Sequence, residues 1–162
     1  MDRVFILDRS GSMETCWTDT IGGFNSFLAD QKATGGTLTL IQFDHEYLES
    51  YKRKAIDDVE PLTTETYKPR GSTALLDAIG QTIKNWGGEA APSIVILTDG
   101  QENSSRKYTN NHIKDLIRLS KVEVVYAGAD LEDARELGIS TRLYYDGTGT
   151  PDVMRSLETL SQ

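Results

Sequence analysis

The sequence predicts an α/β fold: a mostly parallel sheet with helices on both faces. Three observations lead there. Short, continuous apolar runs at 4–7 and 93–98 read as strands buried on both faces. Segments with apolar residues at helical spacing separate these runs, and strands alternating with helices of this length build parallel sheets. One pair of strands, in contrast, is joined only by a tight turn and must run antiparallel.

The first strand, 4–7 (VFIL), ends at Asp8. Ile21, Phe24, Phe27 and Leu28 fall at helical spacing and predict a helix over 18–33. Gly22 and Gly23 cost it about 1 kcal/mol each relative to alanine, and Gly35-Gly36 end it. Residues 37–43 (TLTLIQF) form the second strand and 47–52 the third, joined around Asp44-His45. Segment 53–72 contains Pro61, Pro69 and Gly71, has no clear period, and reads as mostly loop. Leu75, Leu76, Ile79 and Ile83 mark a helix stopped by Gly87-Gly88. The strand 93–98 (SIVILT) ends at Asp99-Gly100. Ile113, Leu116 and Ile117 mark a helix over 110–120, and 122–127 is the next strand. Asp130 is placed to cap a short helix, with Asp133 in its first turn and Gly138 as its stop. A short final strand covers 143–145. Thr150-Pro151 then reads as a cap followed by proline at the first helical position, with Val153, Met154, Leu157 and Leu160 on the apolar face. The sequence contains no internal repeat, low-complexity stretch or linker, so residues 1–162 read as a single domain.

Composition narrows the function. Hydrophobic residues make up 38% and charged residues 26%, a mixture typical of soluble globular proteins. The net charge of −8 argues against nucleic acid, whose non-specific binding needs clustered Lys and Arg, and against docking on an anionic membrane. Cys16 is the one cysteine, so no internal disulfide or oxidising compartment is implied. The apolar run at 4–7 is too short for a signal-peptide core. No stretch approaches the ~18 apolar residues of a membrane helix. The expected address is the cytoplasm.

In such sheets ligands bind beyond the carboxyl ends of the strands, where chain order switches direction. Three segments there carry oxygen ligands. Asp8-Arg9-Ser10-Gly11-Ser12 follows the first strand, with three oxygen-bearing side chains at alternate positions and a glycine to bend the backbone. Thr98-Asp99-Gly100 follows the strand 93–98. Gly71-Ser72-Thr73 precedes a helix and can arch over the same crevice. Carboxylates and hydroxyls suit Mg²⁺, Mn²⁺ or Ca²⁺, and there is no Cys/His cluster for zinc. Two aspartates just balance a divalent ion. Acting through water, they leave much of its field intact, which favours an Asp or Glu carboxylate arriving from a partner protein.

Asp8-x-Ser10-x-Ser12, then Thr73, then Asp99 resembles the metal-ion-dependent adhesion site (MIDAS) of von Willebrand factor A (vWA) domains. The stretches ILDRSGSM, GSTALLDAI and VILTDG resemble the family's in the same order, and the likeness spans the chain. It implies a Rossmann-like three-layer sandwich with a six-stranded sheet of order 3-2-1-4-5-6, strand 3 antiparallel at the edge. Six strands are also what the apolar runs predict. The resemblance further implies that Ser10 and Ser12 ligate the metal directly. Thr73 and Asp99 would trade direct and water-mediated contact, and Asp8 would act through water and orient the serines. Some adhesive members carry an adjacent second ion on acidic residues shortly after the second serine. Thr15 and Cys16 stand there instead, so no second ion is expected.

The implied function is a metal-dependent protein-protein interaction module, not an enzyme, with Mg²⁺ the expected cation and Mn²⁺ or Ca²⁺ as substitutes. Intracellular stand-alone members often work beside ATPase machines, so an AAA+ ATPase or a multi-protein assembly is the expected partner. The competing reading is a Mg²⁺-dependent phosphoryl-transfer enzyme using the same metal site. It lacks an Asp-x-Asp pair after the first strand and a Gly-x-x-x-x-Gly-Lys-Ser/Thr loop. A serine hydrolase through Ser10 or Ser12 lacks Gly-x-Ser-x-Gly. Around the site, Arg9, Lys68 and Arg70 read as a solvated rim, and Cys16 as a half-buried structural thiol. His45 and His112 read as turn or surface residues, and Trp17 and Trp86 as core. Partner specificity is expected from loops 13–18, 44–46, 68–73 and 100–109.

Overall fold

The computed structural model describes residues 2–88, 90–98, 104–128, 131–139 and 141–144. Its strands are β1 (Asp2–Asp8), β2 (Thr37–Phe43), β3 (Tyr47–Ala55), β4 (Ser93–Leu97), β5 (Glu123–Gly128) and β6 (Thr141–Tyr144). Its helices are α1 (Trp17–Lys32), α2 (Leu75–Lys84), α3 (Asn110–Ser120) and α4 (Leu131–Glu136). The strands form one sheet in the order β3-β2-β1-β4-β5-β6. All neighbours are parallel except β2 and β3, which are antiparallel. The order steps outward from β1 in both directions, so the switch point lies between β1 and β4, where such sheets open a crevice.

The alternation of side chains across each strand divides the core in two. Phe5, Leu7, Leu38, Leu40, Val95, Leu97 and Ala127 point to one face and pack on Phe24, Phe27 and Leu28 of α1. Val4, Ile6, Ile41, Phe43, Ile94, Ile96 and Tyr126 point to the other, against Leu75, Ala78 and Ile79 of α2, Ile113 of α3 and Ala134 of α4. Strands buried on both faces explain the continuous apolar runs of β1 and β4. The result is the expected three-layer α/β sandwich. No helix among the described residues is long and apolar enough to cross a membrane.

The main correction concerns 53–72. The strand expected over 47–52 runs on to Ala55, through a bulge at which Arg53 takes φ 50° and donates its N–H to Thr39 Oγ1 at 2.9 Å. A 3-10 turn follows at Ile56–Asp58, and Ile56, Val59, Leu62 and Tyr67 are buried in the α1-side core. Asn25 of α1 pins this segment through both ends of its amide, to Leu62 O at 3.0 Å and from Leu62 N at 2.7 Å. The segment is irregular yet buried, so its apolar residues follow no period. A 3-10 turn at Gly11–Cys16 leads into α1, which starts at Trp17. The last described strand begins at Thr141, two residues earlier than expected. Asp130, Tyr145 and the helix expected after Thr150 lie outside the described residues.

Candidate metal centre

Asp8 closes β1 at the switch point and is fully buried. Its Oδ1 accepts the Ser10 N–H at 2.6 Å, and its Oδ2 accepts the Thr98 hydroxyl at 2.6 Å. The first bond turns the chain sharply after the strand. The second ties the end of β1 to the residue that follows β4. The Asp8 carbonyl also accepts the Tyr67 hydroxyl at 2.7 Å. Past the turn, Ser10 Oγ and Ser12 Oγ lie 3.2 Å apart. Ser10 is buried and Ser12 exposed, so the pair leads from the interior to the surface.

The third segment is tied to the same loop. Gly11 donates its N–H to Gly71 O at 3.0 Å, and Arg70 donates its N–H to Arg9 O at 2.7 Å. Gly71 needs its φ of 73°, and a Cβ there would run into the His45 ring. Thr73 is buried; its carbonyl accepts the Ser104 N–H at 3.1 Å, while Ser72 Oγ accepts the Ser104 hydroxyl at 3.0 Å. The structure therefore brings Asp8, Ser10 and Ser12 together and hydrogen-bonds the segment bearing Thr73 to their loop. Asp99 lies outside the described residues. Among those described, no three His, Cys, Asp or Glu side chains cluster as a metal set.

Four residues beyond the expected ligands shape this end of the sheet. Thr98 and Tyr67 hold Asp8. Asp77 on α2 accepts the backbone N–H groups of Arg106 at 2.8 Å and of Lys107 and Tyr108 at 3.0 Å each, fixing part of the loop expected over 100–109. Asp44, in the β2–β3 turn, is fully buried and receives Arg9 Nε at 3.0 Å and Arg70 Nε at 2.7 Å on one oxygen. Arg9 is thus nearly buried against a carboxylate and not part of a solvated rim, whereas Arg70 is anchored by the same carboxylate but stays exposed at the rim. Lys68 fits that reading better: it is exposed and paired with Glu65 at 3.4 Å. An aspartate in a tight turn gives no sequence signal of burial.

Several other expectations meet the structure here. Cys16 is buried, donates to Met13 O and accepts from the Thr20 hydroxyl, each at 3.5 Å. His45 sits half-exposed in the β2–β3 turn, and His112 forms a capping box with Thr109 at the start of α3. Trp17 is partly buried and donates to Tyr67 O at 2.7 Å. Trp86 is partly buried against the other core, with the Arg53 guanidinium 5.5 Å above its ring.

Burial pushes the Asp44 carboxyl up, but the Arg70 hydrogen bond, the Glu46 N–H and the charges of Arg9 and Arg70 outweigh it and hold the carboxyl below its usual range. A depressed folded-state value contributes stability above the unfolded-state value, near 3.9, and loses it as pH falls through the folded-state value. Urea midpoints are therefore expected to drop below about pH 4 more steeply in the wild type than in Asp44→Asn. Parallel profiles would remove Asp44 from the acid transition.

By sequence the chain matches no protein-family model and no curated protein. By structure it superposes on proximal thread matrix protein 1 from the mussel byssus, solved with a zinc-occupied MIDAS motif, with a TM-score of 0.73 at 16% identity. That match covers 99% of this chain and 45% of the other. It superposes on a von Willebrand factor type A protein from Catenulispora acidiphila with a TM-score of 0.65 at 16% identity, over 99% of this chain and 42% of that one. The chain has the vWA fold. A third match is the manganese-loaded TRAP protein of Plasmodium vivax, with a TM-score of 0.68 at 14% identity, over 98% of this chain and 73% of that one. The chain spans less than half the length of the mussel and Catenulispora proteins.

Proposed function

We propose that this vWA domain is a metal-dependent protein-protein interaction module, not an enzyme. Its divalent cation is held by Asp8, Ser10, Ser12, Thr73 and Asp99 and captures an Asp or Glu carboxylate of a partner protein. The observation that carries the reading is the pair of serine hydroxyls, 3.2 Å apart, beside the buried Asp8. Six oxygens at 2.0–2.1 Å around Mg²⁺ place neighbouring ligands about 2.9 Å apart. The serine pair is close to one such edge. Both Asp8 oxygens accept a hydrogen bond, one from the serine loop itself and one from Thr98. That suits a carboxylate that orients the serine loop and reaches the cation through water.

The bound cation would supply an open Lewis-acid position for a carboxylate. Uncharged serine and threonine ligands leave its charge largely undiminished, so an acidic partner is favoured. The zinc at the MIDAS motif of the mussel protein and the manganese of TRAP support a divalent cation here. Mg²⁺ is the proposed physiological ion, with Mn²⁺ or Ca²⁺ able to replace it. An AAA+ ATPase or a multi-protein assembly, met in the cytoplasm, is the proposed partner class. The histidines support a binding role over hydrolysis: His45 lies against Asp44 and Glu46, and His112 caps α3.

Calorimetric titration of the metal-stripped protein with Mg²⁺ and Mn²⁺ tests the site. Wild type is expected to bind one ion saturably, and the Ser10→Ala/Ser12→Ala double variant to bind none. Equal affinity in the double variant would sink the proposal.

A further inference from the structure

Asp44 is a buried charge with an unusual position. Its side chain is fully buried, and two guanidiniums converge on its Oδ2. Arg9 lies between Asp8 and Ser10, in the loop that carries the serine hydroxyls. Arg70 lies just before Gly71-Ser72-Thr73. The Glu46 N–H occupies Asp44 Oδ1 at 2.6 Å, and the Asp44 carbonyl accepts the N–H of Ala74, the residue after Thr73, at 2.8 Å. Around this carboxylate the backbones close up: Arg9 N donates to Phe43 O at 2.7 Å, Arg70 N to Arg9 O at 2.7 Å and Gly11 N to Gly71 O at 3.0 Å.

We propose that Asp44 is the positioning residue of the metal site: one buried carboxylate that pins the Ser10–Ser12 loop and the 71–73 segment to each other through Arg9 and Arg70. The inference rests on the metal-site reading for its consequence, but not for its geometry. Asp44 reaches no cation itself. It sets the separation of two ligand-bearing segments that come from distant parts of the chain, as the outer-shell partners of metal ligands commonly do. It also neutralises charge. Without it, two guanidiniums beside the crevice would repel an incoming divalent ion. Arg9 is nearly buried and Arg70 half-exposed, so the brace runs from the interior to the surface.

The test uses the whole chain with three single variants. Asp44→Asn keeps the shape and removes the charge. Arg70→Gln removes one arm from a half-exposed position and keeps the protein folded if the buried change does not. Glu46→Gln touches Arg70 only from the solvent side and is the control. In the metal-free protein, amide hydrogen exchange at Gly11 and Arg70 is expected to speed about tenfold or more in Asp44→Asn and less in Arg70→Gln. Exchange within β1 and β4 should stay unchanged, a pattern that general destabilisation would not give. With Mn²⁺ as the probe, the dissociation constant is expected to rise about 10- to 100-fold in Asp44→Asn, several-fold in Arg70→Gln, and less than twofold in Glu46→Gln. Unchanged local exchange in Asp44→Asn and Arg70→Gln would overturn the brace. So would Mn²⁺ affinity within twofold of wild type in both. A wild type that binds no Mn²⁺, with exchange still accelerated in the variants, would refute the metal site and leave the brace standing.

Discussion

Replacing Phe5 with alanine is expected to lower the free energy of unfolding by about 3–5 kcal/mol. Phe5 is fully buried in β1, between Leu40 of β2 and Val95 of β4 in the register of the sheet. Its ring meets Phe24 at 5.2 Å and Phe27 at 5.4 Å, both edge-on, at the centre of the core shared by the sheet and α1. Edge-to-face pairs of this kind add about 0.5–1.5 kcal/mol beyond the area they bury. Urea denaturation monitored by circular dichroism measures the loss, with the m-value unchanged. A loss under about 1 kcal/mol would mean that the site refills and that the three rings are not closely packed.

Asp8→Ala is expected to abolish metal-induced stabilisation and to destabilise the metal-free protein as well. The metal-free cost comes from the buried groups that the carboxylate satisfies, the Ser10 N–H and the Thr98 hydroxyl. Each buried group left without a partner costs about 1–3 kcal/mol. The metal term is separate: an ion at 100 times its dissociation constant stabilises the folded state by about 2.7 kcal/mol. Thermal melts with and without Mn²⁺ distinguish the two. Wild type should rise with Mn²⁺, whereas Asp8→Ala should melt low and flat. Asp8→Asn, which keeps one acceptor oxygen, should recover part of the metal-free stability but none of the Mn²⁺ response. A full Mn²⁺ response in Asp8→Ala would leave Asp8 with a purely structural role.

How much of this was legible in the sequence follows from burial. β1 and β4 are buried on both faces, so their apolar runs are continuous and easily read. The switch point follows from where those strands end, and with it the place to look for oxygen ligands. The Asp8-Ser10-Ser12 string stood out because its residues are close in sequence. The bonds of Tyr67 and Thr98 to Asp8 did not, because they join residues 59 and 90 positions apart. Ile56, Val59, Leu62 and Tyr67 escaped because a buried loop has no period to betray it. Asp44 escaped because a turn aspartate looks the same whether it faces water or two arginines.

The central place of β1 has a consequence for how the chain is made. Arg3 pairs with Ser93, so β1 gains its second neighbour only after some ninety further residues have been added. At roughly 5–20 residues per second, that interval lasts on the order of ten seconds. During it, one edge of Val4, Phe5, Ile6 and Leu7 has no strand to pair with, a ready template for another nascent chain. Asp2 and Arg3 on one side and Asp8 on the other bracket this run with charge, the pattern of gatekeeper residues that keep such segments apart. The carboxylate that later turns the chain toward its ligands also guards the strand while it waits.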